Sequence, residues 1–124
     1  GGGVALTRAK KRADKQFKSV DGYGIGARAF LQAMEAPIRQ IAENCGVSPD
    51  LVVQKVKRIS DSHGYDGKND TYGDMFELGI LDPHAVIVSA VEHSLSVACN
   101  LLSIGCIIAM DGVSSSEASF FDSV

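Results

Sequence analysis

Three consecutive glycines, Gly1-Gly2-Gly3, lead straight into the apolar helix start Val4-Ala5-Leu6, and this junction constrains the fold more than any other feature. Residues without a Cβ let another group approach bare backbone, and a glycine turn opening a helix is a seat for a nucleotide. The same residues also suit a flexible end or an appended leader. Behind them lies a chain of 124 residues, 45% hydrophobic and 6% aromatic, enough for one domain with one aliphatic core.

Charge and cysteine usage exclude several classes of function. The first helical tract carries Arg8, Lys10, Lys11, Arg12, Lys15 and Lys18 against Asp14, while the whole chain has a net charge of -3. Such a run reads as a solvated helix face, and without interleaved aromatics beyond Phe17 no nucleic-acid surface is expected. Cys45, Cys99 and Cys106 lack any Cys-x-x-Cys spacing and read as reduced core residues, while His63, His84 and His93 are scattered singly. Neither a thiol nucleophile, a catalytic group nor a metal site is expected. The stretch from Ala85 to Met110 is apolar enough to raise a membrane span, but Glu92, His93 and Asn100 interrupt it. It reads as a buried helix running into a strand, with no membrane involved.

Punctuation divides the rest. Val4 to about Lys18 is a first helix, followed by a joint at Asp21-Gly22-Tyr23-Gly24. From Ile25 to Asn44 the apolar positions keep a helical period, with Pro37 either kinking the helix or sitting where a missing hydrogen bond is tolerated. Cys45-Gly46 stops it, and Ser48-Pro49 caps a short amphipathic helix from Leu51 to Ile59. The polar stretch from Ser60 to Asp74, with Tyr65 and Tyr72 bracketing its turn, predicts a β-hairpin. Its carboxylates invite calcium, but Lys68 occupies the third loop position after Asp66 and no bidentate Glu follows at the required distance. A short helical piece is expected around Met75 to Leu78, and Asp82-Pro83 then reads as the N-cap and first position of a helix reaching about Ser103. Ile104 to Met110 reads as a strand without an obvious partner in this chain, and residues 112–124 as a disordered Ser-rich tail. The fold class is therefore mainly α, with a small hairpin and a C-terminal strand.

The order of motifs is informative. Gly1 to Leu6, Ala33-Met34-Glu35-Ala36-Pro37-Ile38-Arg39-Gln40-Ile41, Asn44-Cys45-Gly46, Gly64-Tyr65, Tyr72-Gly73-Asp74-Met75 and Gly79-Ile80-Leu81-Asp82-Pro83 resemble the group I chaperonins, the family of 60 kDa subunits. The resemblance runs from Gly1 to about Asp111 and covers the C-terminal part of the family's equatorial domain, so residues 1–111 are expected to be that segment of a longer subunit.

That resemblance implies a part in an ATP-dependent ring chaperonin. Gly2 would bring backbone to the nucleotide, Ile80 would supply an apolar contact to the base, and Asp82 would accept hydrogen bonds from the ribose hydroxyls. The hairpin-tip positions that read adenine in the family are Asp66, Gly67 and Lys68 here, in place of its usual Asn-Ala-Ala. Arg39 would face a carboxylate across the ring-ring interface, where this chain has Ser48, and Cys106, Ile107 and Ile108 would join an intersubunit sheet. Mg2+, the phosphate loop and the water-activating Asp would belong to segments outside this chain, leaving the chain alone catalytically inactive and its parent an ATPase. Implied partners are identical subunits in a ring, a co-chaperonin lid of the 10 kDa type, and unfolded polypeptides bound by an apical domain. A bacterial cytoplasm is the implied setting, with an organelle matrix as the alternative. The altered hairpin tip keeps a second reading open, a divergent paralogue acting as an ATP-independent scaffold or interaction module.

Overall fold

A computed structural model describes residues 1–17, 21–106 and 108. Among these residues there are five helices and one hairpin, in the order α1 (Val4–Ala13), α2 (Gly22–Ala33), α3 (Ala36–Asn44), α4 (Pro49–Arg58), β1 (His63–Asp66), β2 (Thr71–Asp74) and α5 (His84–Ser103). The chain divides into two units, Gly1–His84 and Ala85–Val124.

In the first unit the glycine run is a tight turn rather than a loose end. Gly1 O accepts from Val4 N at 3.1 Å, and Gly2 and Gly3 both take left-handed backbone angles, φ 61° and 76°. Gly3 is the N-cap of α1, and the space a Cβ would need there is filled by Ile38, whose N and Cβ would each lie 2.8 Å away. The turn thereby fixes α1 against α3.

Pro37 settles the break in the middle of the chain. Instead of kinking one long helix it sits in the first turn of α3, where its missing N–H has no partner to lose. The preceding helix starts earlier than its apolar period suggests, because Asp21 Oδ1 accepts from Gly24 N at 2.8 Å and caps the Gly22-Tyr23-Gly24 segment into the first turn of α2. α3 ends in a Schellman turn: Gly46 has φ 73°, its N–H bonds Glu43 O, and Val47 N bonds Ala42 O, both at 2.9 Å. Ser48 precedes α4 but makes no side-chain cap.

The core lies between α1, α3, α4 and the hairpin, where Val4, Ile38, Ala42, Val52, Val53, Val56, Tyr65 and Met75 are buried. The hairpin is antiparallel with Tyr65 opposite Tyr72, their ring centroids 5.2 Å apart. Lys55 of α4 places its ammonium 3.7 Å from the Tyr72 ring centroid, pinning the hairpin to the helix. Met75 to Gly79 is a series of turns, not the expected helical piece.

The basic face of α1 departs from a fully solvated one. Arg8 is buried, and its Nη2 donates to Ile59 O at 3.1 Å and Ser60 O at 2.6 Å, tying α1 to the segment that enters the hairpin. Lys10 is likewise drawn inward, 2.8 Å from the buried Glu35 carboxylate. Lys11, Arg12 and Lys15 are exposed as expected, and Lys18 lies outside the described residues.

α5 begins at His84, the last residue of the first unit and one past the expected first position Pro83, and the rest of it lies in the second unit, reaching Ser103 as expected. The expectation of a buried helix is not met, since no residue of α5 is buried: its unit offers no second element, among the described residues, to pack against. By length and composition α5 could cross a membrane. The cysteines also depart from the expected core positions, because Cys45, Cys99 and Cys106 are all free and all exposed. Cys99 shares the exposure of α5, and Cys45 sits at the C-cap of α3, outside the buried core. Of the expected strand from Ile104 to Met110, Ile107, Ala109 and Met110 lie outside the described residues, and Ile104, Gly105, Cys106 and Ile108 carry no ladder pairing. The expected tail, residues 112–124, also lies outside them.

Candidate functional site

The glycine turn converges with the segment after the hairpin. A Cβ on Gly1 would fall 2.6 Å from Ile80 O and 3.0 Å from Leu81 N, so two stretches of backbone touch where a side chain would part them. Gly1 N lies 3.9 Å from Asp82 Oδ2. The neighbours of Gly2 at its missing Cβ are Met75 Cε at 3.1 Å, Tyr65 O at 3.6 Å and Ile80 Cγ2 at 3.9 Å. Gly2, Ile80 and Asp82, separated by almost eighty positions in sequence, therefore form one locus. Ile80 is held by its N–H to Met75 O at 3.0 Å, and the Asp82 carboxylate is 43% exposed, accessible to hydroxyl donors. Sequence reasoning marks the whole glycine run and assigns the nucleotide contact to Gly2; it gives no partner for Gly1 and does not point to Leu81, because their contact is purely backbone and leaves no side-chain signature.

The hairpin tip behaves differently. Asp66 is buried, and both its oxygens are used by its own turn: Oδ1 accepts from Lys68 N at 3.0 Å and Oδ2 from Asn69 Nδ2 at 2.6 Å. The Asn69 hydrogen bond holds the Asp66 carboxyl below its ordinary range against the opposing effect of burial, with backbone N–H groups and the Lys68 charge adding to it. A Cβ on Gly67 would meet Cys45 Sγ at 2.6 Å, so the tip is seated on the end of α3. Lys68 is exposed. Tyr65 OH donates to Asp70 Oδ1 at 3.0 Å, and burial, reinforced by that carboxylate, pushes the phenol up to about 12.

Arg39 is engaged within its own chain. Its Nη1 donates to Asp50 Oδ1 at 2.8 Å and its Nη2 lies 3.7 Å from Glu35 Oε2. The Asp50 hydrogen bond raises the guanidinium further. A separate cavity of about 320 Å³ runs along α1 past Val4, Arg8, Asp61 and Phe76; Gly1 and Leu81 border it, while Gly2, Ile80 and Asp82 do not. Among the described residues no three His, Cys, Asp or Glu side chains group to hold a metal.

The fold is that of a chaperonin equatorial-domain fragment. The open-state monomer of a group II chaperonin from Methanococcoides burtonii superposes with a TM-score of 0.76 over 84% of this chain, at 19% sequence identity. The match covers 27% of that chain, so this chain spans about a quarter of its length. A family model described as the TCP-1/cpn60 chaperonin family matches residues 1–111, α5 included, and the chain belongs to that family.

Proposed function

We propose that this chain supplies the adenosine side of an ATP pocket in a group I, ring-forming chaperonin that assists protein folding. The observation that carries the reading is the convergence of the Gly1-Gly2 backbone with Ile80 and the accessible Asp82 carboxylate. That locus fits a nucleoside: bare backbone admits a flat ligand closely, Ile80 gives it an apolar face, and a carboxylate accepts from paired hydroxyls. Asp66, Gly67 and Lys68 would lie at its base end. When bound, ATP supplies the free energy of the folding cycle. Mg2+ and the phosphate-transfer groups would come from polypeptide outside this chain, so the chain alone turns nothing over.

The same reading assigns the partners. Identical subunits would form the ring through the Cys106, Ile107 and Ile108 segment and through α5, whose apolar surface suits packing inside an assembled equatorial domain better than a lipid phase broken by Glu92 and His93. A 10 kDa-type lid and unfolded polypeptides would engage other domains, in a bacterial cytoplasm or an organelle matrix. Against the ATP reading stands a nucleotide-independent scaffold, favoured by one observation, the commitment of Asp66 to its own turn.

Turnover of the full-length subunit separates them. Asp82→Ala is expected to raise the KM for ATP about tenfold, the effect of losing a charged hydrogen-bond acceptor. A ring-forming protein whose wild type and variant are equally inactive would establish the scaffold instead.

A further inference from the structure

The cavity of about 320 Å³ along α1 is lined by a guanidinium that this chain leaves partly unsatisfied. Arg8 is 7% exposed. Its Nη2 donates to Ile59 O at 3.1 Å and Ser60 O at 2.6 Å and lies 3.5 Å from His63 O. Nε and Nη1, both buried, donate to nothing among the described residues. Asp61, the acid that lines the cavity, places Oδ1 3.6 Å from Nη1, beyond hydrogen-bond reach. The Asp61 carboxylate is 69% exposed, and its other oxygen lies 3.5 Å from Nη2 of the exposed Arg12. A buried charged donor without an acceptor is costly, so Arg8 calls for one more anion.

The walls indicate what carries that anion. Val4 and Met75 line the cavity as buried residues, whereas Phe76 and Leu81, which also line it, are 70% and 54% exposed. A small molecule seated there would leave those two apolar side chains in water. A polypeptide segment laid across the opening would cover them and bring a carboxylate to the unpaired donors of Arg8, while Asp61 stays with Arg12. Further polypeptide is what the functional reading supplies, since this chain covers 27% of the chaperonin on which it superposes.

We propose that this cavity seats a segment of the same subunit from outside residues 1–124, through an Asp or Glu carboxylate on Arg8 and a neighbouring apolar side chain against Phe76 and Leu81. The inference rests on the reading of this chain as part of a longer chaperonin subunit. The test places a benzophenone photo-crosslinker at position 76 of the full-length protein, with isotope-labelled and unlabelled subunits mixed before assembly, and reads the linked peptides by mass spectrometry. The link is expected within one subunit, to a peptide outside residues 1–124 with an acid within one helical turn of the linked residue. Changing that acid to its amide is expected to speed phenylglyoxal modification of Arg8 about tenfold and of Arg12 less than about twofold, the effect of losing one charge-assisted hydrogen bond on local opening. A link to a second copy, to another protein or to a peptide without such an acid, no link at all, or an Arg8 rate that the amide leaves unmoved overturns the inference. In that case an Asp82→Ala effect on the KM for ATP would leave the nucleotide reading standing, whereas an intact mass with no polypeptide beyond residues 1–124 would remove both.

Discussion

Gly3→Ala is expected to destabilise the protein by about 3 kcal/mol, combining the cost of a left-handed alanine, about 1–2 kcal/mol, with overpacking of about 1–3 kcal/mol. The overlap is with atoms that cannot step aside: Ile38 N and Cβ at 2.8 Å and Ile38 Cα at 3.0 Å. Relief would require α1 to move off α3, uncovering Val4, Ile38 and Thr7, all buried. Gly46→Ala provides the control, since Gly46 has φ 73° with nothing within 4 Å of a Cβ, so that only the conformational cost of about 1 kcal/mol applies. The two variants should differ by about 2 kcal/mol in urea unfolding, judged from midpoints at constant slope. Equal losses would mean that the contact with Ile38 yields freely and that the glycine turn does not hold α1 in place.

That contact also shows which parts of the fold were legible in the sequence. The punctuation was readable wherever its mechanism is local: Gly46 as a left-handed stop, Pro49 at the start of α4, and the hairpin across Tyr65 and Tyr72 all need only neighbours in sequence. Gly1 and Gly3 were recognisable as glycines that matter, but their partners, Ile80 and Ile38, lie at distances in sequence that no local pattern encodes. Pro37 admitted two outcomes, and the hydrophobic period on either side could not choose, because α2 and α3 keep nearly the same phase through the Met34-Glu35 break. The misreadings concern burial. Arg8 and Lys10 sit in a basic run that looks uniformly solvated, yet carbonyls at 59 and 60 and the Glu35 carboxylate draw these two inward. α5 and its Cys99 look like core by composition, yet composition cannot say whether the covering surface belongs to the same chain. At the candidate site, the family resemblance names Gly2, Ile80 and Asp82, which lie together in the structure, while the self-contained turn of Asp66 depends on Asn69, which no local motif singles out.

Glu35→Gln is the second large effect expected. Glu35 is 5% exposed, in the break between α2 and α3, and three cations surround it: Lys57 at 2.6 Å, Lys10 at 2.8 Å and Arg39 at 3.7 Å. One carboxylate thus joins α1, α3 and α4. Burial on its own raises the Glu35 carboxyl, but hydrogen bonds and charge from Lys10 and Lys57 outweigh it and leave the group below its ordinary 4.5. Removing the charge leaves Lys10, only 14% exposed, without its counter-ion, and the expected loss is about 3 kcal/mol at neutral pH, the lower end for a broken buried pair because Lys57 and Arg39 can turn to water. The pH dependence carries the sign. Because the folded pKa is depressed, the stabilisation is fully present above the unfolded value near 4.5 and is lost as pH falls through the folded value. Asp66 and Asp74 are lowered too, so wild type and variant both weaken in acid, and the informative quantity is the difference between them. Chemical denaturation of the pair from pH 7 to pH 3 should show that difference shrinking below pH 4.5. A difference that persists undiminished at pH 3 would mean that Glu35 acts through shape and hydrogen bonding rather than through its charge, and that the three cations gather around it without depending on it.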